Sequence, residues 1–316
     1  MNNKFDISLL VPVFNEQESI KILYEELKKN LNDKYSWELL FINDGSTDKS
    51  EDLINSLIDE NKNVRLISFL KNKGKSEALN IGFKNCFGKY IVTLDADLQD
   101  DPSEIPNLIL KLEEGYDMVS GWKKNRKDSF SKTIPSKIYN YVLRIISGIK
   151  IHDFNCGLKV YRNKVVKVIN IYGGLHRFIP IIIKTNGFSN ICEVPVNHRK
   201  RKFGFSKYGS SRLFHGFFDL ITLLFFNKYL NRPMHFFGLF GLLFFIVGFA
   251  INIFLTYNWF QGIWINPHKN PLFFLGILLL IIGVQFFISG FIGELLLRQR
   301  RNSDKDYTIS QIIPSD

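Results

Sequence analysis

Cysteine is scarce in this chain of 316 residues. The three present, Cys86, Cys156 and Cys192, lie far apart and form no C-x-x-C pair, so neither a disulfide framework nor a zinc site is expected. No signal peptide is expected either, because MNNKFDISLLVPVFNE reaches Asn15 and Glu16 after too short an apolar stretch. The first two-thirds of the chain are therefore expected in the cytoplasm. No internal repeat and no low-complexity segment interrupts the sequence.

Charge is absent from two stretches. Residues 234–257 and 272–293, 24 and 22 residues long, contain no Asp, Glu, Lys or Arg. As helices they would reach about 36 and 33 Å, against a hydrocarbon core of roughly 30 Å. Both are expected to span a membrane, joined by a loop at 258–271 and followed by a tail at 294–316. NKYLNR precedes the first span and RQRRNSDK follows the second, while the connector carries a single lysine, so both ends are expected on the cytoplasmic side. Trp259 and Trp264 in the connector suit the opposite interface.

Acid is nearly absent from two further segments. Residues 122–150 and 197–232 each hold eight Lys/Arg and one acid, which accounts for more than the whole net charge of +11. Such patches attract nucleic acid or anionic lipid, and their position on the approach to the spans favours the membrane surface. In the first, Ile138, Tyr141, Val142, Ile145 and Ile146 recur at helical spacing beside Lys137 and Arg144. A helix at 136–147 lying in the interface and a helix packed on the soluble domain fit equally well, and residues 210–226 repeat the ambiguity.

What the N-terminal part has in quantity is alternation. DISLLVPVF, WELLFIN, VRLISFL and KYIVTL read as strands, separated by helical patterns at 16–31, 47–61 and 74–87. This predicts an α/β domain, here taken to cover 1–230, with a parallel sheet covered on both faces. Ligands of such sheets gather at the carboxyl ends of strands, where PVFNE, NDGSTD and DADLQDD all fall. The last sets four aspartates among seven positions. Like charges so close need open water or a cation. One reading is a solvated turn capping a helix at 103–114; the other is a hard metal held by Asp95, Asp97 and Gln99 on one face of an extended chain. The three coincident clusters favour the metal.

VPVFNE, NDGSTD, DADLQDDP, HDFNCGLKVYR, HRFIP and RKFGFSKYG, in that order and followed by two spans, resemble the family-2 glycosyltransferases of GT-A fold. Within them the chain is similar to the polyprenyl-phosphate sugar transferases, typified by dolichyl-phosphate mannose synthase and the bacterial undecaprenyl-phosphate glucosyl and aminoarabinosyl transferases. The resemblance implies a nucleotide-sugar site at Pro12, Phe14, Glu16, Asp44, Asp95 and Ala96. It also implies Mg2+ or Mn2+ on Asp95, Asp97 and Gln99, with Asp97 central to catalysis. An acceptor phosphate is already anionic and needs no general base, only cations to hold it. Arg126, Lys132, Arg201 and Lys207 are the candidates, with Arg177 beside them among the catalytic cations. His176 and His198 neighbour these arginines and are expected to pack or hydrogen-bond and not to catalyse. Direct attack implies inversion at the anomeric carbon.

The expected activity is transfer of a hexose, with UDP-glucose as first choice and GDP-mannose as alternative, to polyprenyl phosphate, feeding cell-envelope glycosylation from the inner membrane. Partners implied are the nucleotide sugar, the lipid phosphate and the bilayer, with no nucleic acid and a homotetramer as the expected assembly. Two rival classes fare worse. A processive polysaccharide synthase needs a channel and usually Q-x-x-R-W, which occurs nowhere. A transporter or scaffold would bring more spans, or charged residues within them.

Overall fold

A computed structural model describes residues 4–32, 34–124, 130–203, 233–262 and 270–303. Its contacts divide the chain into two compact units, residues 1–220 and 221–316.

In the first unit a seven-stranded sheet has the order β3-β2-β1-β4-β6-β5-β7. The strands are β1 (Phe5–Val13), β2 (Trp37–Asn43), β3 (Val64–Ser68), β4 (Gly88–Thr93), β5 (Met118–Trp122), β6 (Lys159–Arg162) and β7 (Ile191–Pro195). All pairs are parallel except those of β6, which runs against both β4 and β5. Period-two alternation sorts the side chains into two cores. Ile7, Leu9, Val11, Leu39 and Phe41 enter one, where helices α1 (Ile20–Leu31), α2 (Ser50–Glu60) and α4 (Ile105–Glu113) cover them. Leu10, Leu40 and Ile42 enter the other, under α3 (Lys75–Asn85), α6 (Asn163–Val166) and α7 (Ile179–Thr185). Strands buried on both faces explain the near-continuous apolar runs of β1 and β2.

Register places the polar clusters together. Val13 pairs with Asn43 and Leu10 with Thr93, so the loops leaving β1, β2 and β4 emerge at one edge of the sheet. Because β6 is antiparallel, its first residue Lys159, paired with Thr93, arrives at that same edge.

Helix α5 (Phe130–Ser147) begins six residues before the expected 136–147. Asn140, Leu143 and Ser147 are buried, whereas Tyr141 and Ile145 remain 60% and 64% exposed. One face thus packs on the domain, and another presents apolar side chains outward. The expected helix at 210–226 lies outside the described residues.

The second unit is a pair of helices, α8 (Pro233–Phe260) and α9 (Pro271–Ser303), long and apolar enough to cross a membrane. Only 11% of each apolar window is buried, which argues against the core of a soluble protein. Gly241 meets Gly283 and Gly248 meets Gly276, so the helices run antiparallel with their backbones in close approach. A Cβ on Gly248 would lie 2.7 Å from the Gly276 carbonyl oxygen. Both helices exceed the expected spans: α8 takes in the first residues of the connector, and α9 continues beyond Gly293 into the basic tail.

Candidate active site

The loops after β1 and β2 are laced together. The Asn15 amide donates to Ser46 Oγ at 3.0 Å, and Asn15 Oδ1 accepts from the Thr47 amide at 2.8 Å. Asn15 itself is left-handed at φ 53°, a conformation that asparagine tolerates better than most residues. This turn leaves Pro12, Phe14 and Glu16 half-buried along the rim. Asp44 is buried and accepts from the amides of Lys73 (2.6 Å) and Gly74 (2.9 Å), tying the β2 loop to the N-terminus of α3. Gly45 has φ 69°, and a Cβ there would meet the Asn72 backbone nitrogen at 2.6 Å. Glycine is required.

The acidic loop departs from the extended chain expected for it. After β4 it turns through residues 96–98, with Leu98 left-handed at φ 61°, and the Gln99 amide donates to Asp97 Oδ1 at 3.2 Å. Alternate exposure survives the turn, since Asp95, Asp97 and Gln99 are half-buried while Ala96, Leu98 and Asp100 are buried. The Ala96 methyl packs in the core beneath the loop, so any contact it makes with a ligand is through its backbone. Asp101 caps the next turn by accepting from the Ser103 amide, so the capping reading holds for that residue. Asp100 turns inward to Lys123 at 2.8 Å, and its other oxygen accepts from the Asp95 amide at 3.4 Å. Gly157, just before β6, lies so near that a Cβ would sit 2.7 Å from carboxylate oxygens of both Asp95 and Asp100.

Charge in the loop is unevenly compensated. Burial alone would raise the Asp95 carboxyl, but Lys75, in direct contact, and the buried lysines behind it hold it at about 2. Burial, then the charges of Asp95 and Asp100, push Asp97 up to about 6, and Arg201 offers only a 4.0 Å contact. Among the described residues no three His, Cys, Asp or Glu side chains gather as a closed metal cage. Two hard carboxylates, one short of positive charge, instead suit an ion such as Mg2+ or Mn2+ whose shell is completed by phosphate oxygens and water.

The expected cations separate. Arg201 donates to Glu16 Oε1 at 2.7 Å, so it bridges the β1 loop and the acidic loop. Arg177 and His176 share a 3-10 turn, Leu175–Phe178, and Arg177 adds to the field on the imidazole. Lys132 falls on α5, but its side chain, like all of Arg126 and Lys207, lies outside the described residues. His198 is buried, and its backbone bridges Asp100. Arg199 reaches Glu26 at 2.6 Å and Asp101 at 2.8 Å. Residues 196–203 thus form a strap across the acidic loop.

Sequence reasoning passed over Lys75, Lys123, Asp100, Gly157 and Lys159. The signals were present in KNKGKSEALN and HDFNCGLKVYR, but assigning them requires knowing that β6 runs antiparallel and returns to the acidic edge.

Residues 8–169 match the sequence profile of Glycosyl transferase family 2. The chain belongs to this family. It is therefore a glycosyltransferase, and its sheet is of GT-A type. It is 36% identical to the dodecaprenyl-phosphate galacturonate synthase of Rhizobium johnstonii, over 97% of this chain and 93% of that protein. It is 33% identical to the undecaprenyl-phosphate 4-deoxy-4-formamido-L-arabinose transferase of an Enterobacter species, over 92% and 88%. Glucosyl-3-phosphoglycerate synthase from Mycobacterium tuberculosis, in a crystal structure with Mn2+ and UDP-glucose, shares the fold with TM-score 0.55 and 20% identity over 71% of this family-2 chain and 79% of that one.

Proposed function

We propose that this glycosyltransferase moves a sugar from a nucleotide donor to polyprenyl phosphate at the cytoplasmic face of a bacterial inner membrane, with inversion. The carrying observation is the match to a polyprenyl-phosphate sugar transferase over 97% of the chain, which takes in the helical pair as well as the sheet. The site's chemistry agrees with it. Half-buried Pro12, Phe14 and Glu16, with buried Asp44 behind them, give a mixed apolar and acidic wall for a base and ribose, and the acidic loop lies beside it at the sheet edge.

Asp95 and Asp97 are the residues that would hold a divalent ion, which supplies Lewis-acid stabilisation to the departing nucleoside diphosphate. Gln99 stands next to them on the turn. Lys75 neutralises Asp95, and Arg201 is placed to meet phosphate charge arriving between Glu16 and Asp97. The acceptor phosphate attacks the anomeric carbon as an anion, and the basic segments that flank the spans hold its headgroup near the surface. The donor sugar is a UDP-linked hexose on our reading, and the relatives' names direct attention to a carboxylated or formamido sugar.

The test is release of nucleoside diphosphate across a panel of labelled nucleotide sugars, with and without undecaprenyl phosphate. Release that requires the lipid phosphate supports the reading. Equal release in its absence, or polymer formation, overturns it.

A further inference from the structure

A narrow cavity opens beside Asp95, lined among others by Lys75, Asn155, Lys159, Tyr161 and His176. Its open volume is about 20 Å³, room for one water-sized group. Donors dominate its polar lining. The Lys159 amino group, at the start of β6 where burial lowers its pKa, touches the Cys156 carbonyl and keeps further N–H donor capacity in either protonation state. The buried Tyr161 hydroxyl neighbours Thr93, whose hydroxyl donates to the Gly157 carbonyl and keeps its oxygen as an acceptor. Asp95 supplies the sole carboxylate of the lining, and Lys75 already occupies it. Such a slot suits an oxygen that accepts.

His176 sets its Nδ1 edge against Ser76. The Ser76 hydroxyl oxygen accepts from the His176 amide at 3.0 Å and stands 2.9 Å from Nδ1. With its oxygen accepting the His176 amide, the Ser76 hydroxyl is positioned to donate its hydrogen to Nδ1, the arrangement that carries the ring proton on Nε2. Burial, then the charges of Lys75 and Arg177, keep the imidazole near pKa 3, so that N–H is not joined by a second one at neutral pH.

We propose that His176 determines donor specificity: its Nε2–H, fixed in tautomer by Ser76, reads an acceptor oxygen on the donor sugar at the slot beside Asp95. The role rests on the proposed transfer reaction. It names the recognised feature as an oxygen substituent of the sugar, carboxylate, amide or hydroxyl, and not the nucleotide.

The experiment uses the full-length protein in detergent or nanodiscs. The nucleotide sugar that wild type turns over is chosen from UDP-glucose, UDP-galacturonate, GDP-mannose and their relatives. Its affinity is then compared with that of the bare nucleoside diphosphate in wild type, His176→Phe, His176→Gln and Ser76→Ala. His176→Phe should weaken the nucleotide sugar about tenfold and leave the nucleoside diphosphate unchanged. His176→Gln, which keeps a donor, should recover most of the loss, and Ser76→Ala should fall between. Equal losses for both ligands would mean that the ring only packs or holds a structural water, and no loss for either would mean that it reads nothing; each outcome overturns this role alone. A panel with no turnover in wild type overturns the reaction and this role with it.

Discussion

At the scale of single residues, Asp97 carries the sharpest expectation. Asp97→Ala should abolish transfer while leaving thermal stability close to wild type, because the carboxylate, 16% exposed, is an undercompensated charge in a polar loop beyond a strand end and not part of the apolar core. A melting curve beside an activity assay checks both halves. Gly157→Ala tests the same site from the opposite side. The added methyl would press on the carboxylates of Asp95 and Asp100, so activity should drop at least tenfold while the sheet persists, visible as unchanged far-ultraviolet circular dichroism. His176 gives a pH expectation. Its folded pKa lies well below the ordinary 6.5, so between about 6.5 and 3 the unfolded chain binds the extra proton. Stability contributed by this residue is complete above 6.5 and is lost as pH falls, and in His176→Gln the acid limb of the unfolding free energy should be flatter. What could be read at this scale beforehand was chemistry type: Asp95 and Asp97 stood out because acid followed an apolar strand. The burial of the Ala96 methyl was not legible, since only the turn at Leu98 decides that it points into the core.

Among elements, the loop after β4 is fastened to β5 through a nearly buried ion pair, Asp100 with Lys123. Removing one partner strands the other, so Lys123→Met alone should cost about 3–5 kcal/mol of unfolding free energy, and adding Asp100→Leu should restore a large part of it. Chemical denaturation of the two variants tests this as a double-mutant cycle. In the helical pair, Gly248→Leu should force α8 from α9 and lower the melting temperature in detergent by several degrees, since the Gly276 backbone occupies the space a side chain needs. Elements were the most legible scale. β1 to β4 and their helices followed from periodicity, with ends moved by a few residues where turns intervened, as where Asn15 delays α1 to Ile20. The reversal of β6 was not legible, because KVYR reads alike in either direction and only its pairing with β4 and β5 assigns the sense.

For the whole molecule, the two compact units invite a test of divided labour. Removal of residues 234–316 should leave nucleotide binding measurable and depress transfer to long-chain acceptors in membranes more than transfer to a short, water-soluble acceptor. Assays with both acceptors at matched protein concentration decide it; equal losses would show that the helices stabilise the catalytic unit itself. The strap at 196–203 has a mechanical meaning here. It is the last described stretch before the chain continues toward the spans, and it is moored by Arg199 to Glu26 and Asp101 and by Arg201 to Glu16 and Asp97. These moorings clip the strap to α1, to the β1 loop and to the acidic loop at once, so reversing the charge at Arg199 or Arg201 would unfasten elements that no strand pairing joins.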